Sequence, residues 1–277
     1  MPRHPLICRC RFVVAAAWLS LIFVLVFVGC GRREGARTLN VAGSTTVLPI
    51  VQAAAEEFQK ERPGTKIAVQ GGGSSTGIEA ATIGTADIGT SSRELNGAEK
   101  NAGLVDHVIA IDAIAIIVNP SNPVSNLTKA QLKGIFSGRI QNWREVGGAD
   151  LPIVLVNRDE ASGTREAFQK RVLGGESFYK RAVIQPGSGQ VRSIVEGTPA
   201  AIGYMSLGYV TRQVKVVKYG GVAPTKVSIA KGQYGLQRKL HLFTKGEAKG
   251  KVKDFIDFIL SPKVQREIVG VEFIPVK

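Results

Sequence analysis

The stretch VQGGGSSTGI, residues 69–78, runs from an apolar segment through three glycines into hydroxyl residues. Lys66–Gln70 is typical of a β-strand and Gly77–Ile83 of a helix, so the glycines and hydroxyls lie at a strand-to-helix turn. The first N–H groups of a helix have no acceptor inside it, and the helix dipole favours negative charge there. This turn is therefore a candidate oxyanion site.

Clusters of the same kind recur at other predicted strand ends. Gly43–Thr46 precedes a helix that begins near Pro49, Thr90–Arg93 follows the short strand Asp87–Gly89, and Ser162–Thr164 follows the strand Ile153–Val156. Two clusters have an arginine nearby, and guanidinium is a planar donor suited to oxyanions. The alternative for each cluster is that its hydroxyls only cap a helix. Agreement among four clusters favours anion binding.

The alternation of strand-like and helix-like segments predicts an α/β fold rich in parallel strands. The longest apolar strand region is HVIAIDAIAIIVN, His107–Asn119. In open α/β sheets, ligands bind beyond the carboxyl ends of the strands, which is where the hydroxyl clusters fall. Fold class and cluster position thus indicate the same function, the binding of a small anion.

The N-terminus has the pattern of an export signal rather than of a folded segment. Three arginines precede an apolar run, Phe12–Val28, which ends at Gly29-Cys30. We expect residues 1–29 to be a lipoprotein signal peptide, Cys30 to be lipidated, and residues 30–37 to form a tether. An uncleaved membrane anchor is the alternative, because the apolar run is slightly long for a signal core. The predicted location is the periplasm or the outer face of the cell membrane.

Composition excludes several classes of protein. The apolar fraction of 44% is too high for a disordered chain, and the aromatic fraction of 6% is low for a single-strand nucleic-acid binder. We therefore attribute the net charge of +14 to attraction of an anion or an anionic membrane. The histidines, His4, His107 and His241, lack metal-ligand spacing, so we expect no metal, no cofactor and no catalytic residue.

Several segments together resemble a known family. VAGSTTVLP (41–49), VQGGGSSTGI (69–78), ADIGTSSREL (86–95), GIFSGRIQNWREVGG (134–148), NRDEASGTREAF (157–168) and AIGYMSLGYV (201–210) are similar, in order, to the phosphate-binding protein of bacterial ABC phosphate importers. The resemblance implies a periplasmic-binding-protein fold of type II, with two lobes that close on the ligand about a hinge. It places lobe one at 38–112, lobe two at 113–205, and a C-terminal return to lobe one at 206–277.

The resemblance also implies which residues bind phosphate. Arg158, Ser162, Gly163 and Thr164 match an R-x-x-x-S-G-T ligand set, and Glu160 is expected to orient Arg158. Ser92 stands where many members have an Asp that accepts the proton of monohydrogen phosphate, so selectivity against sulfate is less secure than phosphate binding. The full predicted set is Ser44, Thr45, Thr46, Ser74, Ser92, Arg93, Arg158, Ser162, Gly163 and Thr164.

The implied function is extracytoplasmic binding of inorganic phosphate and its delivery to an ABC permease by a monomer anchored through lipid on Cys30. The alternatives are a receptor for another tetrahedral oxyanion (sulfate, arsenate or molybdate), an exported hydrolase of phosphate esters, and an adhesion or signalling lipoprotein. The hydrolase needs a nucleophile with a base, or metal ligands, and the chain is poor in histidine and cysteine. Nucleic acid is not an expected partner.

Overall fold

A strand of 15 residues, β4 (Leu104–Val118), passes through both halves of the molecule. The computed structural model describes residues 38–277. The predicted signal peptide, the predicted lipidation site Cys30 and the predicted tether lie outside these residues. Within residues 38–277, no helix has the length and apolarity needed to cross a membrane.

The strands and helices alternate along most of the chain. The strands are β1 (Leu39–Gly43), β2 (Ile67–Gly71), β3 (Ile88–Ser91), β4, β5 (Asn126–Leu127), β6 (Val154–Arg158), β7 (Val183–Gln185), β8 (Ala201–Ser206), β9 (Lys215–Tyr219) and β10 (Gln237–Lys245). The helices are α1 (Leu48–Glu61), α2 (Ser74–Ile83), α3 (Lys129–Phe136), α4 (Gly163–Phe168), α5 (Ser188–Gly197), α6 (Lys226–Ala230), α7 (Gly250–Ile259), α8 (Pro262–Val264) and α9 (Gly270–Glu272).

The strand order is β2-β1-β3-β10-β4-β8-β6-β7, with β9 pairing with both β4 and β5. At one end β1 pairs in parallel with β2 and β3, and at the other β6 pairs in parallel with β7 and β8. Antiparallel β4 and β10 join the two parallel groups. The predicted α/β fold with two lobes and crossover strands is confirmed.

Two large hydrophobic cores lie on the two sides of this junction. The first core contains buried residues of β1, α1, β3, β10 and α7, including Phe58, Leu242 and Phe255. The second core contains Phe136 and Tyr204, among others. Successive residues of β4 point to opposite faces of the sheet, as a strand requires. In its second half, Ile114, Ile116 and Val118 enter the second core, while Ala115 and Ile117 pack with α5.

The packing moves the start of the C-terminal return. The sequence places this return at residue 206, directly after β8. In the structure β9 pairs with β4 and β5, and Tyr219, Ile229, Tyr234 and Leu236 are buried in the second core. The chain rejoins the first core only in β10, where Leu240 and Leu242 are buried. A β-strand and a short helix that intervene after β8 therefore pack with the second core, and we propose that the return begins at about Gln237.

Helix α2 lies directly on the sheet because Gly77 has no side chain. A Cβ atom at this position would lie 2.6 Å from the Thr90 carbonyl oxygen and 2.7 Å from that of Ala42, closer than real contacts allow. The helix therefore rests on β1 and β3 with its first turn at their carboxyl ends. This close approach explains the last glycine of the stretch at residues 69–78 and brings Ser74 beside the loop after β3.

Candidate functional site: an anion pocket between two sets of loops

The predicted loops meet where the parallel strands end. The loop after β1 carries Ser44–Thr46, α2 begins at Ser74, Ser92 follows β3, and α4 begins at Gly163 after the cap residue Ser162. All but one of these residues are buried; Thr45 is half-buried. The structure thus gathers nearly the whole predicted set at one place.

Direct contacts join the loops to one another. The Oγ1 atoms of Thr46 and Thr164 are 3.2 Å apart, which connects a loop of the first core with a loop of the second. The Oγ atoms of Ser74 and Ser92 are 3.3 Å apart, and the backbone N–H of Ser92 also donates to Ser74 Oγ at 3.0 Å. These hydroxyls form a continuous polar lining.

The start of α4 offers free donors. Ser162 caps the helix, because its Oγ accepts from the backbone N–H of Arg165 at 3.2 Å. The N–H groups of Gly163 and Thr164, at the first two positions of the helix, have no acceptor inside the helix. None of the hydrogen bonds found across residues 38–277 uses them either. Capping and anion binding are therefore compatible here, since the cap uses only the hydroxyl oxygen of Ser162.

Arg158 is a buried cation held by neutral groups. Its Nε donates to the carbonyl oxygen of Gln185 at 3.2 Å, and its Nη2 donates to the carbonyl of Pro186 at 2.8 Å and to Thr45 Oγ1 at 3.3 Å. Its Nη1 is buried, with no hydrogen-bond partner anywhere in the described chain. Burial lowers the pKa of Arg158 from its ordinary value, yet a guanidinium stays charged at neutral pH.

The backbone around Arg158 is also fixed. Asn157 Oδ1 accepts from the backbone N–H of Arg158 and from the hydroxyl of Tyr204. Glu160, expected to orient Arg158, does not do so: its side chain is 93% exposed and lies 3.9 Å from Arg165. Backbone carbonyls after β7 orient the guanidinium instead. A buried cation with one unpartnered amino group is suited to bind an anion.

Arg93 is placed differently from the sequence prediction. Its Nη1 and Nη2 donate to the carboxylate of Glu99 at 2.6 and 2.8 Å, and its Nε is 2.6 Å from a carboxylate oxygen of Glu166. Nη2 also donates to Ser75 Oγ. The guanidinium is thus occupied by two acids. Because Glu166 belongs to α4, the Arg93–Glu166 pair links the two sets of loops rather than facing the pocket.

Two charged residues at the site were missed by sequence reasoning. Asp112 on β4 and Arg238 on β10 form a buried ion pair with an N–O distance of 2.8 Å, and Arg238 also contacts Thr46 and Ser92. The available signal was a single carboxylate inside the apolar run His107–Asn119, because such a residue is rarely buried without a partner. Nothing in the sequence identified Arg238 as that partner.

The two histidines within residues 38–277 have structural partners. His107 Nε2 lies 3.1 Å from Thr244 Oγ1, and His241 Nδ1 lies 2.8 Å from a carboxylate oxygen of Asp106. No group of three or more His, Cys, Asp or Glu side chains suited to a metal ion occurs among residues 38–277.

Comparison with known proteins gives one consistent result. Residues 31–263 match the model of the PBP superfamily domain. The chain is 39% identical to the phosphate-binding protein PstS of Bacillus subtilis over 89% of this chain and 83% of that relative. It is 30% identical to PstS of Borreliella burgdorferi, over 94% of this chain and 98% of that relative.

Solved structures give the same answer. A substrate-binding protein from Clostridium perfringens, solved with bound phosphate, is 42% identical, with a TM-score of 0.83 over 87% of this chain and 100% of that chain. An ABC-type phosphate transport receptor from Vibrio cholerae is 35% identical, with a TM-score of 0.73 over 85% of this chain and 99% of that chain. The chain therefore belongs to the PBP superfamily and, within it, to the family of phosphate-binding proteins.

Proposed function

We propose that this protein binds inorganic phosphate outside the cytoplasm and delivers it to an ABC-type phosphate permease. The observation that carries this function is the buried, unpartnered Nη1 of Arg158, which lies where loops from both cores meet. The relatives named as phosphate-binding proteins, and the similar structure with bound phosphate, identify the anion.

The bound phosphate receives donors from both sides of the pocket. Arg158 supplies charge and a free N–H, the start of α4 supplies the N–H groups of Gly163 and Thr164, and hydroxyls come from Thr46, Ser74 and Ser92. Ser44 has a smaller role, since its N–H donates to the Thr90 carbonyl and its Oγ accepts from the N–H of Thr46. Arg93 is not part of the proposed ligand set, because its guanidinium is occupied by Glu99 and Glu166.

Phosphate binding is coupled to closure of the lobes. The arrangement described is closed: Ser75 N–H donates to the Ala161 carbonyl at 3.1 Å, and the Tyr209 hydroxyl donates to the Thr45 carbonyl at 2.6 Å. A ligand that touches both sets of loops stabilises this state over an open one, because only the closed state makes all the contacts. The permease then recognises the closed form.

The protein is exported, its signal peptide is removed at Cys30, and lipid on Cys30 holds the monomer at the membrane surface. No reaction is catalysed; the relatives are named as binding proteins. Lobe one is formed by residues 38–112 and the segment from about Gln237, and lobe two by the chain between them.

The direct test is calorimetric titration of the purified protein with phosphate, sulfate and arsenate. We expect phosphate to bind at micromolar concentration or below. Absence of binding at that level overturns the proposed function. Tighter binding of sulfate than of phosphate assigns the site to a different tetrahedral oxyanion.

The Arg93–Glu166 pair gives a prediction about closure. Replacing Glu166 by Gln removes an ion pair between the two sets of loops without changing a proposed ligand. The Glu166 side chain is 44% exposed, so solvent and salt screen this ion pair. We therefore expect the free energy of phosphate binding to weaken by at most about 1 kcal/mol, and by less at high salt. Titration at low and high salt measures this. A loss that does not depend on salt contradicts an electrostatic link.

A further inference from the structure

A buried ion pair lies beneath the candidate phosphate pocket. Arg238 Nε and Nη2 donate to Asp112 Oδ2 at 3.0 and 2.8 Å, and the two side chains are 3% and 1% exposed. Asp112 Oδ1 accepts from Ser206 Oγ at 2.8 Å. The carboxylate therefore fixes one edge of the guanidinium, and both of its oxygens have partners.

The other edge of the guanidinium faces pocket hydroxyls. Arg238 Nη2 donates to Thr46 Oγ1 at 3.2 Å, and Nη1 donates to Ser92 Oγ at 3.3 Å. A hydroxyl oxygen that accepts from a cation directs its own hydrogen away from that cation. The hydrogens of Thr46 and Ser92 are thereby left to donate to the proposed ligand or to the neighbouring hydroxyls of Thr164 and Ser74.

Arg238 places a second positive charge at this pocket. Burial, together with the charge of Arg238, lowers the pKa of Arg158, so the two cations act on the same region. The other charged or titratable groups that influence Arg238 are Asp112, Arg171 and Tyr204.

We propose that Arg238, held in place by Asp112, is a specificity-determining residue of the anion site, which aligns Thr46 and Ser92 as donors and favours a doubly charged oxyanion over a singly charged one. This rests on the proposed phosphate-binding function. The reason is electrostatic: attraction between a buried cation and an anion scales with the charge of the anion. Asp112 opposes this effect, because its charge offsets part of that of Arg238.

The test compares dissociation constants for sulfate and phosphate at mildly acidic and mildly alkaline pH. Sulfate is a dianion at both pH values, whereas phosphate changes from mainly singly to mainly doubly charged. For Arg238→Gln we expect sulfate at both pH values, and phosphate at alkaline pH, to bind more weakly by about tenfold or more. We expect the affinity for phosphate at acidic pH to fall by a smaller factor. Asp112→Asn keeps an oxygen acceptor for Arg238, and we expect it to shift the preference toward the dianion.

Arg238→Gln leaves Asp112 buried without its cation, which destabilises the fold. The double variant Arg238→Gln/Asp112→Asn avoids this. We expect its preference for the dianion to be smaller than that of the wild type. Arg144→Gln, at an exposed pair with Asp150, is the matched control and leaves every affinity unchanged.

Two results overturn the inference in distinguishable ways. Suppose that the wild type binds phosphate and that the affinity of the double variant for every anion is lower by the same factor. Arg238 then has only a structural role, and the proposed function stands. If the wild type binds neither anion, the proposed function fails and this inference fails with it.

Discussion

Replacing Arg158 by Ala weakens phosphate binding by about 2–5 kcal/mol, at least roughly 30-fold in the dissociation constant. The guanidinium is buried, it has no carboxylate partner within 4.0 Å among the described residues, and its Nη1 has no hydrogen-bond partner there. In the proposed complex it supplies both charge and a directed N–H to the anion. Calorimetric titration of wild type and variant measures the difference.

A conservative variant separates charge from geometry. Arg158→Lys keeps the positive charge, but one ammonium group cannot satisfy the carbonyls of Gln185 and Pro186 and also reach the ligand. We expect an affinity between those of the wild type and Arg158→Ala. The exposed substitution Arg144→Ala is the control for loss of one cation far from the pocket. An unchanged affinity in Arg158→Ala removes this residue from the binding site.

Adding one methyl group at Gly163 prevents full closure. A Cβ at this position would lie 2.3 Å from Ser74 Oγ and 2.8 Å from Ser74 Cβ, across the contact between α4 and α2. Overpacking of this kind costs about 1–3 kcal/mol, which corresponds to a roughly 5- to 150-fold loss in a coupled equilibrium. We expect Gly163→Ala to bind phosphate more weakly by a factor in that range.

The matched control for this variant is Gly189→Ala, at the second position of α5. No heavy atom lies within 4 Å of the Cβ that this change would add, so phosphate affinity stays at the wild-type value. Small-angle scattering supplies an independent measurement. With saturating phosphate, the wild type becomes more compact, whereas Gly163→Ala contracts less. Full contraction and wild-type affinity of Gly163→Ala contradict the closed geometry described here.

The local signals in the sequence predicted the pocket loops well. Strand-to-helix turns rich in glycine and hydroxyl residues occur at Ser44–Thr46, Ser74 and Ser162–Thr164, and the structure brings them together. This succeeds because a turn of this kind depends on neighbouring residues, and the carboxyl ends of parallel strands lie at the same edge of a sheet. The start of the first helix was also close: the helix predicted to begin near Pro49 is α1, which begins at Leu48.

What the sequence missed depends on contacts between distant residues. Asp112 and Arg238 are 126 positions apart, and their pairing follows from the antiparallel register of β4 with β10. One partner of Arg93 is also non-local, because Glu166 lies 73 positions away on α4, whereas Glu99 is only six positions away. An arginine beside a hydroxyl cluster looks the same in the sequence whether it faces a ligand or an acid.

The boundary of the C-terminal return was displaced for a related reason. The segment after β8 contains a strand-like stretch, Val214–Tyr219, that is compatible with either lobe. Only its pairing with β4 and β5 assigns it to the second core. Burial of Tyr234 in that core then extends the second lobe to the start of β10.

We propose that Arg158 and the start of α4 hold a phosphate ion between the two lobes. A crystal structure of the protein grown with inorganic phosphate tests it most directly. We expect one phosphate with its oxygens in hydrogen-bond contact with Arg158 Nη1 and the N–H groups of Gly163 and Thr164. A phosphate bound elsewhere, or one in this pocket without contact to Arg158, contradicts it.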